Sequence, residues 1–324
     1  MRDDRMEREG FDDRGPMHPL RLTHRPTAID SRGRLSRWAV SAVAAGLAAV
    51  AWTSRAVSQC MPPTSSNEAR LMAHYEAPIV FATAAVPRVP DLADVSVTGE
   101  VVGVPTPSAS ISHTSFCYVS DQKGSHLSPV LPRLRLAVGL PAGFALEGSY
   151  LPPVEIDRAS PNLGSLALTY ARQLIGSPRE SGLPSLVVAG RVHGTIGRVV
   201  GPITCPSSQL QQTQLGQPCY GTKESSDTFY PTSAGVESTL AASHRWLGVF
   251  AGTGYTRLTP HFRVGFTNLT GYTDRTLVEV SLDRAVVLGG VTLRVVRALD
   301  VSAEAYSVPA DLTTWRVAAR YRLW

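Results

Sequence analysis

The feature that most constrains this chain is a strict period of two. In LPRLRLAVGL, residues 131–140, Leu134, Leu136, Val138 and Leu140 share one side, while Arg133, Arg135, Ala137 and Gly139 share the other. PAG turns the chain, and FALEGSY returns with Phe144, Leu146 and Tyr150 opposite Glu147 and Ser149. Successive side chains of a β-strand point to opposite faces, so each segment carries one oily and one polar face. The pattern recurs from about residue 109 to the last residue, and no amphipathic helix interrupts it. A mean hydropathy of -0.01 excludes a helical membrane bundle.

A soluble β-sandwich has the same period, with its oily faces turned inward. Three features decide against it. Large charged groups sit in mid-strand on the polar faces: Arg135, Glu147, Arg191, Glu237, Arg263, Glu279, Arg294, Arg316 and Arg320. A barrel with a polar lumen and a lipid-facing exterior expects such groups. Connections also differ in length, with PAG at 141–143 and RALD at 297–300 tight and 197–231 long. The third feature is the end of the chain, TTWRVAARYRLW. Trp315, Val317, Ala319, Tyr321 and Leu323 line one face, and Thr314, Arg316, Ala318, Arg320 and Arg322 line the other.

These last residues resemble the C-terminal signature of bacterial outer-membrane β-barrel proteins, whose final strand ends on an aromatic preceded by alternating apolar positions. The broad family of uncharacterised outer-membrane barrel domains is the one resembled, over roughly residues 109–324 in pattern and over the last ten or so in motif. In this chain Leu323 holds the apolar register and Trp324 falls one residue beyond it. The resemblance implies an all-β, antiparallel, transmembrane up-and-down barrel. It also implies that Trp315, Tyr321, Leu323 and Trp324 present the strand to the barrel assembly machinery, with outer-membrane lipid as the other partner.

Counting candidate strands back from the terminus gives segments near 313–324, 299–308, 286–296, 275–284, 261–268, 248–257, 232–243, 184–196, 163–174, 143–153, 131–140 and 109–120. The expectation is about 12 strands, within a range of about 10 to 14. Ahead of them, residues 32–60 read RGRLSRWAVSAVAAGLAAVAWTSRAVSQC. A basic start, an Ala/Val/Leu run and a small-residue close match a secretory signal, and the run is short for a spanning helix. Cleavage near Ser58 is expected, and a translation start at Met17 would account for the charged first stretch. The organisation expected is a leader over 1–58, a Pro/Ala-rich periplasmic segment over 59–107, and the barrel over 108–324. One strand near 95–104 fits within the middle segment.

Cys205 and Cys219 lie in a long Gln/Ser/Thr-rich connection. An exported chain with this spacing and no nearby His points to a disulfide closing the loop rather than to zinc. Cys60 and Cys117 are left to pair with each other. His113, His193, His244 and His261 fall on separate strands, and neither HExxH nor GxSxG occurs. Nothing points to a metal or cofactor, and the reading is non-enzymatic. The formal charge of +5 comes without any Lys/Arg run suited to nucleic acid.

Two functional readings follow. The inward charges, with Arg in excess, suit a small channel for polar or anionic solutes. The same charges, paired as Arg–Glu, suit a filled, non-conducting barrel that is structural or meets partners through its disulfide-closed outer loop. An outer-membrane lipid-modifying enzyme is a third class, with no specific residue to support it.

Overall fold

The computed structural model describes residues 60–118, 120–121, 129–156, 158–176 and 184–323. The leader and Trp324 therefore lie outside the described residues. Thirteen strands form one sheet. They are β1 (Val95–Gly103), β2 (Val130–Gly139), β3 (Phe144–Leu151), β4 (Ser160–Ile175), β5 (Ser185–Gly201), β6 (Asp227–Tyr230) and β7 (Thr232–His244). The rest are β8 (Leu247–Leu258), β9 (His261–Arg263), β10 (Leu277–Glu279), β11 (Leu282–Val296), β12 (Leu299–Val308) and β13 (Leu312–Arg322). Among the described residues one longer helix, α1 (Asn67–Glu76), precedes them, its N-terminus capped by the Ser66 side chain accepting from Ala69 N–H.

Ten of the strands close an up-and-down barrel, in the order β1, β2, β3, β4, β5, β7, β8, β11, β12, β13 and back to β1. All neighbours are antiparallel, and closure runs from Ser96↔Arg322 to Val102↔Arg316. Strand β5 is forked: its inner stretch pairs with β7, and its outer end, Val199–Gly201, pairs with β6. Strands β6, β9 and β10 extend this fork beyond the rim.

Ten strands is the lower end of the expected range, and the differences have simple causes. Strands β8 and β11 pair along their whole length, up to Leu258↔Leu282. The two segments expected at 261–268 and 275–284 therefore belong to an excursion between paired neighbours, and Arg263 and Glu279 lie outside the barrel wall. The segment expected at 109–120 is a short helix, Ala109–Ser112, followed by a two-residue strand. The first wall strand is instead Val95–Gly103, so the barrel begins ahead of the boundary at 108.

The two faces of the wall follow the sequence alternation. On β13, Trp315, Val317, Tyr321 and Leu323 are exposed, while Thr314, Arg316 and Ala318 are buried. Leu136, Leu146, Leu166, Val192, Val236, Val249 and Val291 extend the outward apolar band around the circumference. A continuous apolar exterior of this kind is what hydrocarbon requires and what soluble monomers avoid. Closure into a barrel leaves no unpaired sheet edge in that band. Tight connections, at 140–143, 245–246 and 297–298, mark one end, taken as the inner one. The long connections 104–129, 202–226 and 259–281 mark the outer one, which also has the short link at 309–311.

Candidate functional site: the lumen and its plug

The lumen is filled by the chain's own N-terminal segment. Cys60 is bonded to Cys117 at the outer end, and its backbone pairs with β10 through Cys60 N–H to Leu277 O (3.0 Å) and Glu279 N–H to Cys60 O (3.1 Å). Helix α1 caps this end. Its His74 meets Pro105 O at 2.8 Å, and Glu76 accepts from Thr232 N–H at 2.9 Å. Burial alone would raise the Glu68 carboxyl, but the N–H groups of Phe116 and Ser115 outweigh it and hold it below the usual range. Glu76, buried with one backbone donor, is pushed well above it.

From α1 the chain descends in extended form to the inner end. There Ala93 N–H donates to Gly139 O (3.0 Å) and Gly139 N–H to Asp94 O (2.7 Å), and the chain reverses into β1. A Cβ on Gly139 would lie 2.1 Å from Asp91 O, so only glycine lets this return loop lie against β2.

Each level of the wall grips one part of the descending segment. Arg133 Nη2 donates to Ile79 O (2.6 Å), Arg316 Nη1 to Val80 O (3.1 Å), Arg191 Nη2 to Phe81 O (3.2 Å) and Arg135 Nη1 to Ala82 O (2.7 Å). Below them, Thr83 Oγ1 donates to Glu237 Oε2 (3.2 Å) and Ser302 Oγ to Ala84 O (2.5 Å). Thr292 Oγ1 then accepts from Val86 N–H (3.0 Å). The wall thus supplies the partners that a β-ladder would otherwise give an extended backbone. Close packing adds to this: a Cβ on inward-facing Gly248 would sit 2.9 Å from Val86 Cγ2.

Phe81 is the centre of the plug. Its ring lies 5.4 Å from Arg133, 4.4 Å from Arg135 and 5.0 Å from Arg191, within cation–π reach of all three. Around it arginines and glutamates gather. Arg133, Arg135, Arg191 and Arg316 face Glu100, Glu147, Glu237 and Glu304, all but Glu147 of them buried. Arg135 pairs with Glu100 and, at 3.1 Å, with Glu147; Arg191 meets Glu147 at 2.6 Å, Arg316 meets Glu100 at 3.6 Å, and His193 meets Glu237 at 3.3 Å. Pairing offsets the cost of burying these ions; Arg133 bonds to plug carbonyls instead, and Glu304 makes no ion pair among the described residues. A small apolar cavity of about 50 Å³ remains at the outer end, between Tyr75 and Ile79 of the plug and Leu163 and Val199 of the wall. That is room for a few water-sized groups only.

The structure thus brings Arg135, Glu147, Arg191, Glu237 and Arg316 together in one collar. Arg294 and Arg320 fall in a second, more open cluster at the inner mouth, around Asp300. Arg263 and Glu279 join neither. Missing from the sequence-based set are Glu100, Arg133, Asp300 and Glu304, and the plug itself. Cys205 and Cys219 are bonded at the outer end. Beside them Asp227 accepts from Thr204 N–H (2.5 Å), Ser225 Oγ (2.7 Å) and Gly265 N–H (2.8 Å); burial raises its carboxyl and these donors pull it back. Among the described residues no His/Cys/Asp/Glu group could hold a metal.

The class is set by this geometry: an up-and-down β-barrel of the outer-membrane type, closed by ten strands and filled by its own N-terminal segment. No protein-family model and no curated protein matches the chain. Among solved structures, it is similar to the attachment invasion locus protein Ail of Yersinia pestis, at 9% identity over 72% of this chain and 100% of that one, with a TM-score of 0.28. A mutant of the Rhodopseudomonas blastica porin is similar at 9% identity over 71% of this chain and 99% of that one, with a TM-score of 0.20. Scores this low define no shared fold, and the architecture rests on the strand ladders themselves.

Proposed function

We propose that this protein is a bacterial outer-membrane barrel, exported by its leader and closed to solute flow at rest, whose work is done by its outer surface. The observation that carries the reading is the plug, with Phe81 and the carbonyls of residues 79–82 held in a collar of buried arginines. Solutes crossing the lumen would have to displace this segment, which costs every bond the wall makes to it. The stapled loop around Cys205–Cys219, rich in exposed Gln, Ser and Thr, is the surface offered to partners. The C-terminal strand ending in Trp315, Tyr321, Leu323 and Trp324 is read by the assembly machinery. We read the barrel as non-enzymatic.

A second reading, a gated channel for anionic solutes, is favoured by the surplus of arginine at the inner mouth. Planar-bilayer recording of the full, oxidised chain separates the two. The first reading expects silence at moderate voltage, with steps appearing only after thiol reduction and mild urea loosen the plug. Stable, anion-selective conductance from the untreated chain would overturn it.

A further inference from the structure

We propose that the inner mouth of the barrel is a binding site for a phosphate-type oxyanion, formed by Arg88, Arg294, Arg320 and Arg322 around Asp300. The strand register builds it. Arg294 on β11, Asp300 on β12 and Arg320 on β13 are direct cross-strand neighbours, all facing the lumen. Arg322 stands one inward position closer to the mouth, and Arg88 arrives from the lower end of the plug.

One carboxylate serves four guanidiniums. Asp300 Oδ2 lies 2.9 Å from Arg88 and 3.2 Å from Arg320. Its Oδ1 lies 3.6 Å from Arg322 and 3.8 Å from Arg294, too far for good hydrogen bonds. The Nε atoms of Arg320 and Arg322 are buried and have no acceptor among the described residues. Each guanidinium carries five N–H groups and a full charge at any ordinary pH. The cluster therefore holds more donors and more positive charge than Asp300 can satisfy. Asp91 and Asp94 lie at the same end, in the return loop, and make no ion pair with these arginines among the described residues.

Exposure sets this cluster apart from the collar above it. The Asp300 side chain is fully buried at 0%, whereas those of Arg88, Arg294, Arg320 and Arg322 are 28%, 41%, 20% and 25% exposed. A solute from the inner side reaches them without moving the plug. Planar guanidinium forks match the oxygens of phosphate, and a doubly charged anion offers the acceptors that Asp300 lacks. Because Arg88 belongs to the plug and the other three to the wall, such an anion also ties plug to wall. The site does not depend on whether the barrel ever conducts.

The test is titration of the full, oxidised chain in maltoside detergent with inorganic phosphate against chloride at matched ionic strength, read by calorimetry and by the thermal midpoint. Phosphate should bind and raise the midpoint, as any ligand of the native state does. Arg294→Gln and Arg322→Gln, whose guanidiniums stand farthest from Asp300, should each weaken phosphate binding about tenfold or more. Asp300→Asn should tighten it severalfold while lowering the midpoint in chloride, a split that a purely structural ion cluster would not produce. Equal responses to phosphate and chloride, or Gln variants that bind like the parent, would overturn the site. Nanodiscs separate the sources of the anion. If phosphate binds equally in phosphatidylcholine and phosphatidylglycerol discs, the ligand is a free solute; if anionic discs abolish the response, a lipid headgroup occupies the same arginines.

Discussion

Strand β13 places arginines at two depths, and the same residue type does different work in each. Arg316 stands in the collar, fully buried, where four arginines and four glutamates gather and each arginine donates to a plug carbonyl. Arg320 and Arg322 stand at the inner mouth, partly open to solvent, where four arginines share one aspartate. Arginine and glutamate are matched in number where water is excluded, and arginine is in surplus where water can reach it. The cost of desolvating an unpaired ion dictates that order.

The sharpest way to break the comparison is to remove one arginine from each level. Arg135→Met should cost about 3–5 kcal/mol, because Glu100 loses its main partner and Glu147 one of its two inside a closed lumen. Arg322→Met should cost about 1 kcal/mol or less, since a part-exposed ion pair contributes little. Urea unfolding of the refolded protein, followed on heat-modifiable gels, measures both. Equal losses would mean that the two levels are not energetically distinct.

The outer end holds the plug by covalent means. Cys60–Cys117 closes a span of 57 residues and Cys205–Cys219 one of 14. In the chain-entropy account these are worth about 4 and about 3 kcal/mol, respectively. Only the first joins the plug to the wall loops, so the double Ser variant at 60 and 117 should destabilise more and also expose the plug to proteolysis from outside. A larger effect from the 205/219 pair would show that the outer loop, not the plug, limits stability.

How much of this was legible beforehand follows from what kind of group does each job. The wall was readable because its faces are written in side chains: Trp315, Val317 and Tyr321 outward, Arg316 and Arg320 inward. Strand Val95–Gly103 reads as part of the segment ahead of the barrel because it follows a Pro-rich stretch and carries Gly99 where an outward apolar residue would mark the pattern. Arg263 and Glu279 kept the alternation but lie on short strands of the outer extension, since period alone does not say which neighbour a strand finds. The plug left no pattern at all. PIVFATAAVP offers the wall mostly backbone carbonyls, which every residue has, and small side chains that fit a narrow lumen. Its one distinctive signal was Phe81, an aromatic in a run of small residues, and that means nothing until three arginines surround it.

The lipid face can be probed on the same strand. Val317 points outward near mid-height and Tyr321 outward near the inner end. Arg at position 317 should cost about 2–4 kcal/mol and Arg at 321 about 0–1, the depth dependence expected when the exterior meets hydrocarbon. Matching costs at both depths would mean that the exterior is not immersed.

The most local effect tests whether the plug is bound rung by rung or merely enclosed. Thr292 Oγ1 accepts from Val86 N–H, the last backbone bond before the mouth. Thr292→Val keeps the shape and removes the acceptor, leaving a buried N–H unpaired at a cost of about 1–3 kcal/mol at most. The loss should be local. Hydrogen exchange at Val86 should speed up while exchange at Ile79 to Ala82, held by the arginine collar, stays slow. If all these amides quicken together, the segment leaves the lumen as one unit, and the collar and the lower rungs are a single clamp.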